Sequence, residues 1–155
     1  MKIELIFLDK TKDKFLAEGI DKYKKRLGHY TTISIKIIKS RAKLKANDEL
    51  VKEKEADLLL NNATKGGLIV ALDVSGRQYS SEELSGMLDK WEQRGVRTVT
   101  FLIGGPVGLS AKVIKKADMV LSLSRMTFTH DMVRMLLLEQ LYRGYTIKRG
   151  EKYHK

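Results

Sequence analysis

The sequence predicts an α/β fold in which helices cover both faces of a mostly parallel β-sheet. Segments with the patterning of strands and of helices alternate five times along the 155 residues. Two of the strand segments, residues 67–76 and 96–105, are largely apolar, as is typical of central strands buried on both faces. The length suits one core, and no repeat, linker or low-complexity segment interrupts the pattern. We therefore expect a single domain over residues 1–155.

The first half of the chain is predicted to form two strands and two helices. Residues 2–8 read as a strand because Ile3, Leu5 and Phe7 fall on one face. Three further segments follow from the same periodicity rules: a helix over 12–27, a strand over 31–40, and a helix over 48–63 that Asn47 is predicted to cap.

The second half continues the alternation. After the strand at 67–76, Ser80 and Glu83 have the spacing of a capping box, and Gly95 ends the helix that they begin. The remaining predicted elements are a strand over 96–105, a short helix that Ser110 caps and that runs to about residue 117, a strand over 117–124, and a helix over 129–143.

The last predicted helix, residues 129–143, is apolar nearly all round. Such a helix cannot be half exposed, so it is either sandwiched within the fold or buried by a second copy of the chain. We favour the second copy, because a domain of this size has little interior in which to enclose the helix.

Charge indicates a polyanionic partner. The net charge is +11, and residues 22–45 contain nine Lys or Arg and no Asp or Glu. The alternative is a solvated basic surface that only keeps the protein soluble. Tyrosines that could stack on unpaired bases favour RNA over duplex DNA; they are Tyr23, Tyr30, Tyr142, Tyr145 and Tyr153.

Composition also excludes several classes of protein. There is no cysteine, and histidines at 29, 130 and 154 make a poor metal-binding set, so we expect no metal. Lys2, Glu4 and Asp9 interrupt the N-terminal apolar stretch, so we expect no signal peptide and no membrane span. These observations predict a cytoplasmic protein.

Three loops leave the carboxyl ends of predicted strands and should converge on one ligand site. They follow Ala71, Ile103 and Leu121. The second lies in "FLIGGPVGLS" (101–110), whose glycines fit neither phosphate-binding pattern and precede no phosphate-binding lysine. A nucleoside without its phosphates is therefore the better ligand, although the glycines could be turn punctuation alone.

Two polar residues near these loops can each be interpreted in two ways. Asp73 could bind a ribose or act as a base, and it could equally form a turn. His130 could lie beside the site, and it could equally be a structural residue at a helix start.

Three stretches of the sequence resemble the RlmH family, SPOUT-class methyltransferases that methylate a pseudouridine in large-subunit ribosomal RNA. They are "FLIGGPVGLS", "LSLSRMTFTHDMVRMLLLEQLYRGYTI" and the ending "YHK". The likeness extends from the "MKIELIFLDK" start to the tail. It implies small obligate homodimers with a deep C-terminal trefoil knot, here from about residue 100 onward.

The resemblance also implies that S-adenosylmethionine (SAM) lies bent among the three strand-end loops. Side-chain roles of Arg125 and Met126 are open, because the family varies at these positions. The cofactor-binding positions carried over to this sequence are Leu72, Gly104, Gly105, Leu123, Ser124, Arg125, Met126, Thr127 and Phe128.

The substrate implied by the resemblance is the N3 imide of a pseudouridine in assembled ribosomes. The C-terminal tail is expected to fold over the site, often that of the partner subunit. This assigns Tyr153 and His154 to catalysis, with His130 and Arg143 as further candidates and Arg134 and Lys155 as other positive groups. Two alternatives are a SPOUT methyltransferase for transfer RNA and a ribosome-binding factor without enzymatic activity.

Overall fold

In the computed structural model, which describes residues 1–40 and 48–153, five strands and five helices alternate along the chain. Asn47, the predicted cap of the second helix, lies outside the described residues. The elements are β1 (Lys2–Leu8), α1 (Lys14–Leu27), β2 (Thr32–Ile38), α2 (Asp48–Asn62), β3 (Leu68–Arg77), α3 (Ser81–Gln93), β4 (Thr98–Ile103), α4 (Ala111–Lys116), β5 (Met119–Leu121) and α5 (His130–Lys148).

The strands form one sheet in the order β2-β1-β4-β3-β5, and every pairing among them is parallel. The central strand β4 is buried at all six positions, which explains its continuous apolar sequence. The α/β prediction of a parallel sheet is therefore confirmed. Because all strands point the same way, their carboxyl ends share one edge of the sheet.

Alternate side chains of strand β1 pack into two hydrophobic clusters, one on each face of the sheet. Ile3, Leu5 and Phe7 join a cluster with residues of α1, α3 and α5 on one face of the sheet. Ile6 and Leu8 join a second cluster with α2 and α4 on the other face. The side-chain period of two in a strand produces this division, and helices on both faces follow from it.

Glu4 is the exception in β1, because it is a fully buried carboxylate. Lys36 Nζ lies 2.9 Å from Glu4 Oε1, and the hydroxyls of Thr64 and Thr100 each donate a 3.0 Å hydrogen bond to Oε2. Burial raises the pKa of Glu4, but these hydrogen bonds and the Lys36 charge outweigh burial and lower it. The carboxylate therefore stays charged and joins β1, β2 and β4.

Helix α5 packs between α1 and α3, and Leu137, Leu138 and Leu141 are fully buried within the chain. The sandwiched alternative thus accounts for much of its apolar surface, although we favoured a second copy of the chain. The helix also continues past its predicted end at residue 143. Helix α3 packs closely against this extension at Gly144, where a Cβ would lie 3.0 Å from Leu88 Cδ1. The Gly144 carbonyl also accepts a 2.7 Å hydrogen bond from Ser85 Oγ of α3.

Helix starts follow the predicted capping chemistry, with one difference. Ser80 and Glu83 form the capping box reciprocally. The hydroxyl of Thr129 accepts from the Met132 N–H at the start of α5. Ser110 occupies the cap position of α4, but its hydroxyl makes no capping hydrogen bond and is buried without a partner. The prediction that Ser110 caps this helix is therefore right in position and wrong in chemistry.

Candidate active site

A cleft of about 610 Å³ lies at the carboxyl edge of the sheet. Three segments form it: a bulge within β3 that follows Ala71, and the loops that follow β4 and β5. The sequence predicted all three positions, the first of them as a loop. The lining residues from these loops and from the start of α5 include Leu72, Asp73, Gly104, Gly105, Gly108, Leu123, Ser124, Met126, Thr127, Phe128, His130 and Val133.

The first side of the cleft is a bulge in β3. The strand pairs with β5 up to Leu72, its register then shifts, and pairing resumes between Arg77 and Leu121. A Cβ on Gly76 would lie 2.7 Å from backbone atoms of β5, so only glycine allows this return. Asp73 Oδ1 accepts hydrogen bonds from the backbone N–H and hydroxyl of Ser75. Asp73 therefore forms a turn and also lines the cleft.

The second side is the glycine loop, residues 104–108. Gly104 and Gly108 are each required in it for a different structural reason. A Cβ on Gly104 would lie 2.8 Å from the carbonyl carbon of Gly108, so a side chain there would prevent the loop from closing. The loop closes with a 3.0 Å hydrogen bond from the Gly108 N–H to the Gly105 carbonyl. Gly108 itself has a φ of +82°, which favours glycine. The bare backbone of this loop faces the cleft.

The third side is the segment between β5 and α5. Its turn is held locally, because Ser122 Oγ donates to the Ser124 carbonyl and Ser124 Oγ accepts from the Met126 N–H, both at 2.9 Å. Met126 lines the cleft and is nevertheless 73 % exposed, so its side chain stands at the rim. The side chain of Arg125 is exposed, and Arg125 is not among the lining residues.

The chemistry of the lining fits a nucleoside better than a phosphate. Apolar side chains such as Leu72, Ile103 and Leu121 face backbone polar groups of the two loops, and no Lys or Arg side chain is among the lining residues that the structure describes. Adenine and ribose need apolar contact and a few fixed polar groups, whereas a phosphate needs donors with positive charge. The cleft therefore suits the adenosyl group of SAM.

His130 stands at the first turn of α5 and lines the cleft. Its Nε2 lies 3.4 Å from Asp131 Oδ1. Burial and the charge of Arg134 lower the pKa of His130 and outweigh the opposing effect of Asp131. The imidazole is therefore largely uncharged at neutral pH and available to accept a proton.

Arg134 holds this end of α5 against the sheet, a role that the sequence did not reveal. Its guanidinium is fully buried and lies 4.2 Å from the ring centroid of Phe7. It donates to the carbonyl of Leu8, to Thr11 Oγ1 and to Asp131 Oδ1, at 2.6, 2.9 and 2.5 Å. A buried arginine with these partners fixes the helix start that carries His130.

Tyr153 and Arg143 lie together, away from the cleft. The Tyr153 hydroxyl donates to Glu139 Oε1 at 3.2 Å, and Arg143 Nη2 donates to the same oxygen at 2.6 Å. The Tyr153 ring meets that of Tyr142 edge to face, with centroids 4.7 Å apart. Burial and contacts with Tyr23 and Glu139 raise the pKa of Tyr153, so its hydroxyl keeps its proton.

The predicted site residues thus fall into two groups within one chain. Those of the three loops, except Arg125, come together with His130 at the cleft, whereas Tyr153 and Arg143 contact Glu139, nine residues further along α5 than His130. That separation is roughly 13 Å of helix axis. His154 lies outside the described residues. The sequence analysis missed Glu139, whose only signal was its i,i+4 spacing from Arg143.

Two further features bear on the class of protein. Within residues 1–40 and 48–153, no group of three or more His, Asp or Glu side chains is arranged to hold a metal ion. No helix in the same part of the chain is long and apolar enough to cross a membrane.

Comparison with solved structures identifies the architecture. A Bordetella pertussis protein described as a "Probable Methyltransferase" aligns with a TM-score of 0.57 at 12 % identity, covering 92 % of this chain and 95 % of that chain. A Legionella pneumophila protein described as a methyltransferase and solved with SAM bound aligns with a TM-score of 0.52 at 15 % identity, covering 91 % of this chain and 65 % of that chain. At such identities the likeness shows the fold alone.

Comparison of sequences goes further. The family model described as "Predicted SPOUT methyltransferase" matches residues 1–154. The ribosomal RNA large subunit methyltransferase H of Desulfotalea psychrophila is 53 % identical over 155 residues, covering 100 % of both chains. That of Pelotomaculum thermopropionicum is 44 % identical over 156 residues, covering 98 % of each. The chain therefore belongs to the SPOUT methyltransferase family and, within it, to the group of ribosomal RNA large subunit methyltransferases H.

Proposed function

We propose that this protein transfers a methyl group from SAM to N3 of a pseudouridine in large-subunit ribosomal RNA and acts on assembled ribosomes. The observation that carries the proposal is the cleft, whose described lining residues offer apolar side chains and bare backbone and include no Lys or Arg. Full-length similarity to relatives named as methyltransferases of this RNA supports the choice of substrate class. The protein would then work where ribosomes are, in the cytoplasm.

The three loops would hold the cofactor. When bound, SAM supplies an electrophilic methyl group on a positively charged sulfur. Leu72, Gly104 and Gly105 would contact it from two sides, and residues 123–128 from the third, where Arg125 contributes backbone. A rigid cleft raises the rate by holding reacting atoms in line, an effect that can contribute about 7 kcal/mol or more.

The RNA substrate needs a proton acceptor or a positive group, because an imide nitrogen is a poor nucleophile until its proton leaves. His130 is one candidate, since it lines the cleft and burial lowers its pKa. Arg143 is a candidate for stabilising the negative charge that develops on the imide, and Tyr153 and His154 are candidates for placing the base. Tyr153 acts through its protonated hydroxyl and ring in this scheme, because its pKa is raised.

A homodimer would unite the two groups of residues. Tyr153 and Arg143 are joined to Glu139 within the chain and do not line the cleft of the same chain. A second copy packed on α1 and α5 would bring its own tail to this cleft. Exposed apolar side chains at the first turns of both helices support such packing: Phe15 is 72 % and Met132 is 37 % exposed. We also infer the C-terminal knot, from about residue 100 onward, from membership of the family, within a single domain over residues 1–155.

Binding and transfer assays test the proposal in two steps. Isothermal titration with SAM should show micromolar binding, because the cleft exists without any partner RNA. Methyl transfer should then be measured on intact ribosomes, free ribosomal RNA and transfer RNA, with the methylated position mapped by mass spectrometry of nucleosides. We expect transfer to ribosomes and product at N3 of pseudouridine.

Each alternative function gives a different result in these assays. A ribosome-binding factor without enzymatic activity would bind ribosomes and show no SAM binding at millimolar concentration. A transfer RNA methyltransferase would prefer transfer RNA over ribosomes. Either result would contradict the proposal.

A further inference from the structure

The carboxyl group of Glu55 on α2 lies directly behind the glycine loop. Glu55 is only 5 % exposed, and a Cβ on Gly105 would lie 3.2 Å from its Oε2. Oε1 accepts a 2.9 Å hydrogen bond from Ser40 Oγ, whereas Oε2 is buried and has no hydrogen-bond partner among the described residues. A buried polar atom without a partner is costly and calls for an explanation. A side chain at position 105 would press on this carboxyl group and force it to shift.

Among the residues that the structure describes, none adds a compensating positive charge beside Glu55. The charged group that acts on it is Asp9, which is also acidic, and no Lys or Arg of the described residues forms an ion pair with it. The structural alternative is that Glu55 only fixes α2 to the segment after β2, through Ser40. That role needs one carboxylate oxygen and does not explain the second oxygen, which is aimed at the loop of the cleft.

We propose that Glu55 makes the cleft selective for the cationic cofactor over its neutral product. This inference rests on the proposed function. SAM carries a permanent positive charge on sulfur, and S-adenosylhomocysteine, the thioether that remains after methyl transfer, does not. A buried carboxylate behind the loop attracts the first through a low-dielectric medium and leaves the second unaffected. The methyl transfer itself thus removes the attraction and speeds release of the product.

Proton linkage gives the inference a second signature. Burial raises the pKa of Glu55 and the nearby Asp9 raises it further, against the opposing hydrogen bond from Ser40. A bound cation favours the charged carboxylate, so SAM binding should be weaker at a pH where the free protein holds a proton on Glu55. His130 also faces the cleft and becomes positive in acid, so it must be separated from Glu55 in the experiment.

Isothermal titration at pH 8 with SAM and with S-adenosylhomocysteine tests the inference directly. Glu55→Gln should weaken SAM binding roughly tenfold and change binding of the product less than twofold. Glu53→Gln is the matched control, because it removes the same charge from an exposed position on the same helix. It should leave both affinities unchanged. An equal loss of both ligands in Glu55→Gln would overturn the inference and leave a structural role.

A pH series on the unsubstituted protein keeps the test independent of how Glu55→Gln folds. Between pH 8 and pH 5, the ratio of SAM affinity to product affinity should fall, and it should still fall in His130→Asn. A ratio that is constant with pH in His130→Asn would refute the inference while leaving the proposed function intact. Failure of both ligands to bind the unsubstituted protein would overturn the inference and the proposed function together.

Discussion

The hydroxyl of Tyr153 donates a 3.2 Å hydrogen bond to Glu139 Oε1, the same oxygen that receives Arg143. This contact holds the described part of the tail against the C-terminal half of α5. The cleft of the same chain lies at the N-terminal end of that helix. The tail therefore has a defined place before any substrate binds. If a second copy supplies the tail to each cleft, changes in the tail should affect catalysis and not cofactor binding.

Replacing the tail side chains tests that separation. Tyr153→Ala combined with His154→Ala should lower kcat at least a hundredfold, because proton transfer and positioning each contribute by orders of magnitude. The Kd for SAM should change less than twofold in the same variant. Tyr153→Phe is the milder comparison, since it keeps the ring against Tyr142 and removes only the hydrogen bonds of the hydroxyl to Glu139 and Tyr23. A matching loss of SAM affinity would argue that the tail belongs to the cofactor site.

The dimer is expected to form through the exposed apolar side chains of α1 and α5. Phe15→Glu with Met132→Glu should yield monomers at micromolar concentration, because two carboxylates would be buried at the interface. Light scattering after gel filtration measures the mass. Leu50→Glu is the control, since Leu50 is 60 % exposed on α2, on the opposite face of the sheet. A monomeric unsubstituted protein, or a dimer that survives the double substitution, would contradict this interface.

Gly104→Ala should abolish detectable SAM binding. The added Cβ would lie 2.8 Å from the carbonyl carbon of Gly108, and backbone must move to relieve that contact. Gly86→Ala is the matched control, because a Cβ at Gly86 in α3 meets nothing within 4 Å. That control should bind SAM normally and raise the free energy of unfolding by about 0.5–1 kcal/mol, as expected for alanine in a helix. If Gly104→Ala bound SAM with unchanged affinity, the close approach of Gly104 to Gly108 would not be needed for cofactor binding.

Stability should depend on pH through Glu4. The folded-state pKa of Glu4 is lowered from its ordinary value of 4.5, so its contribution is present above that value and is lost as the pH falls through the folded pKa. Glu4→Gln should therefore cost about 1–3 kcal/mol at pH 7, because the hydrogen bonds from Thr64 and Thr100 lose their charged acceptor and Lys36 loses its ion pair, and less at pH 3. Denaturant unfolding at both values measures this difference. Glu53→Gln should stay within about 0.5 kcal/mol at both, and a pH-independent cost for Glu4→Gln would show that its charge is not the stabilising feature.

Much of the fold could be predicted from local sequence. The alternation of Ile3, Leu5 and Phe7 placed β1, and the spacing of Ser80 and Glu83 placed the start of α3, because these signals arise within one element. Strand ends were less predictable. Gly76 reads as a turn residue in the sequence, whereas in the structure it allows β3 to bulge and pair again with β5. That outcome depends on a neighbouring strand, which no local pattern reports.

The same division holds for the site. By itself the sequence determined the layered α/β architecture, the three loops of the cleft and, through resemblance, the family. These features depend on periodicity, turn chemistry and motifs, which involve residues close together in the sequence. Tertiary structure alone decided that Glu55 lies behind Gly105 and that Arg134 is buried at the end of β1. It also decided that Tyr153 is hydrogen-bonded to Glu139 and does not face the cleft of its own chain. These relationships join residues 50 or more positions apart in two cases, and in the third they join residues 14 positions apart, one in α5 and one in the tail that follows it. They depend on how helices pack on a sheet, and that packing is a property of the whole chain.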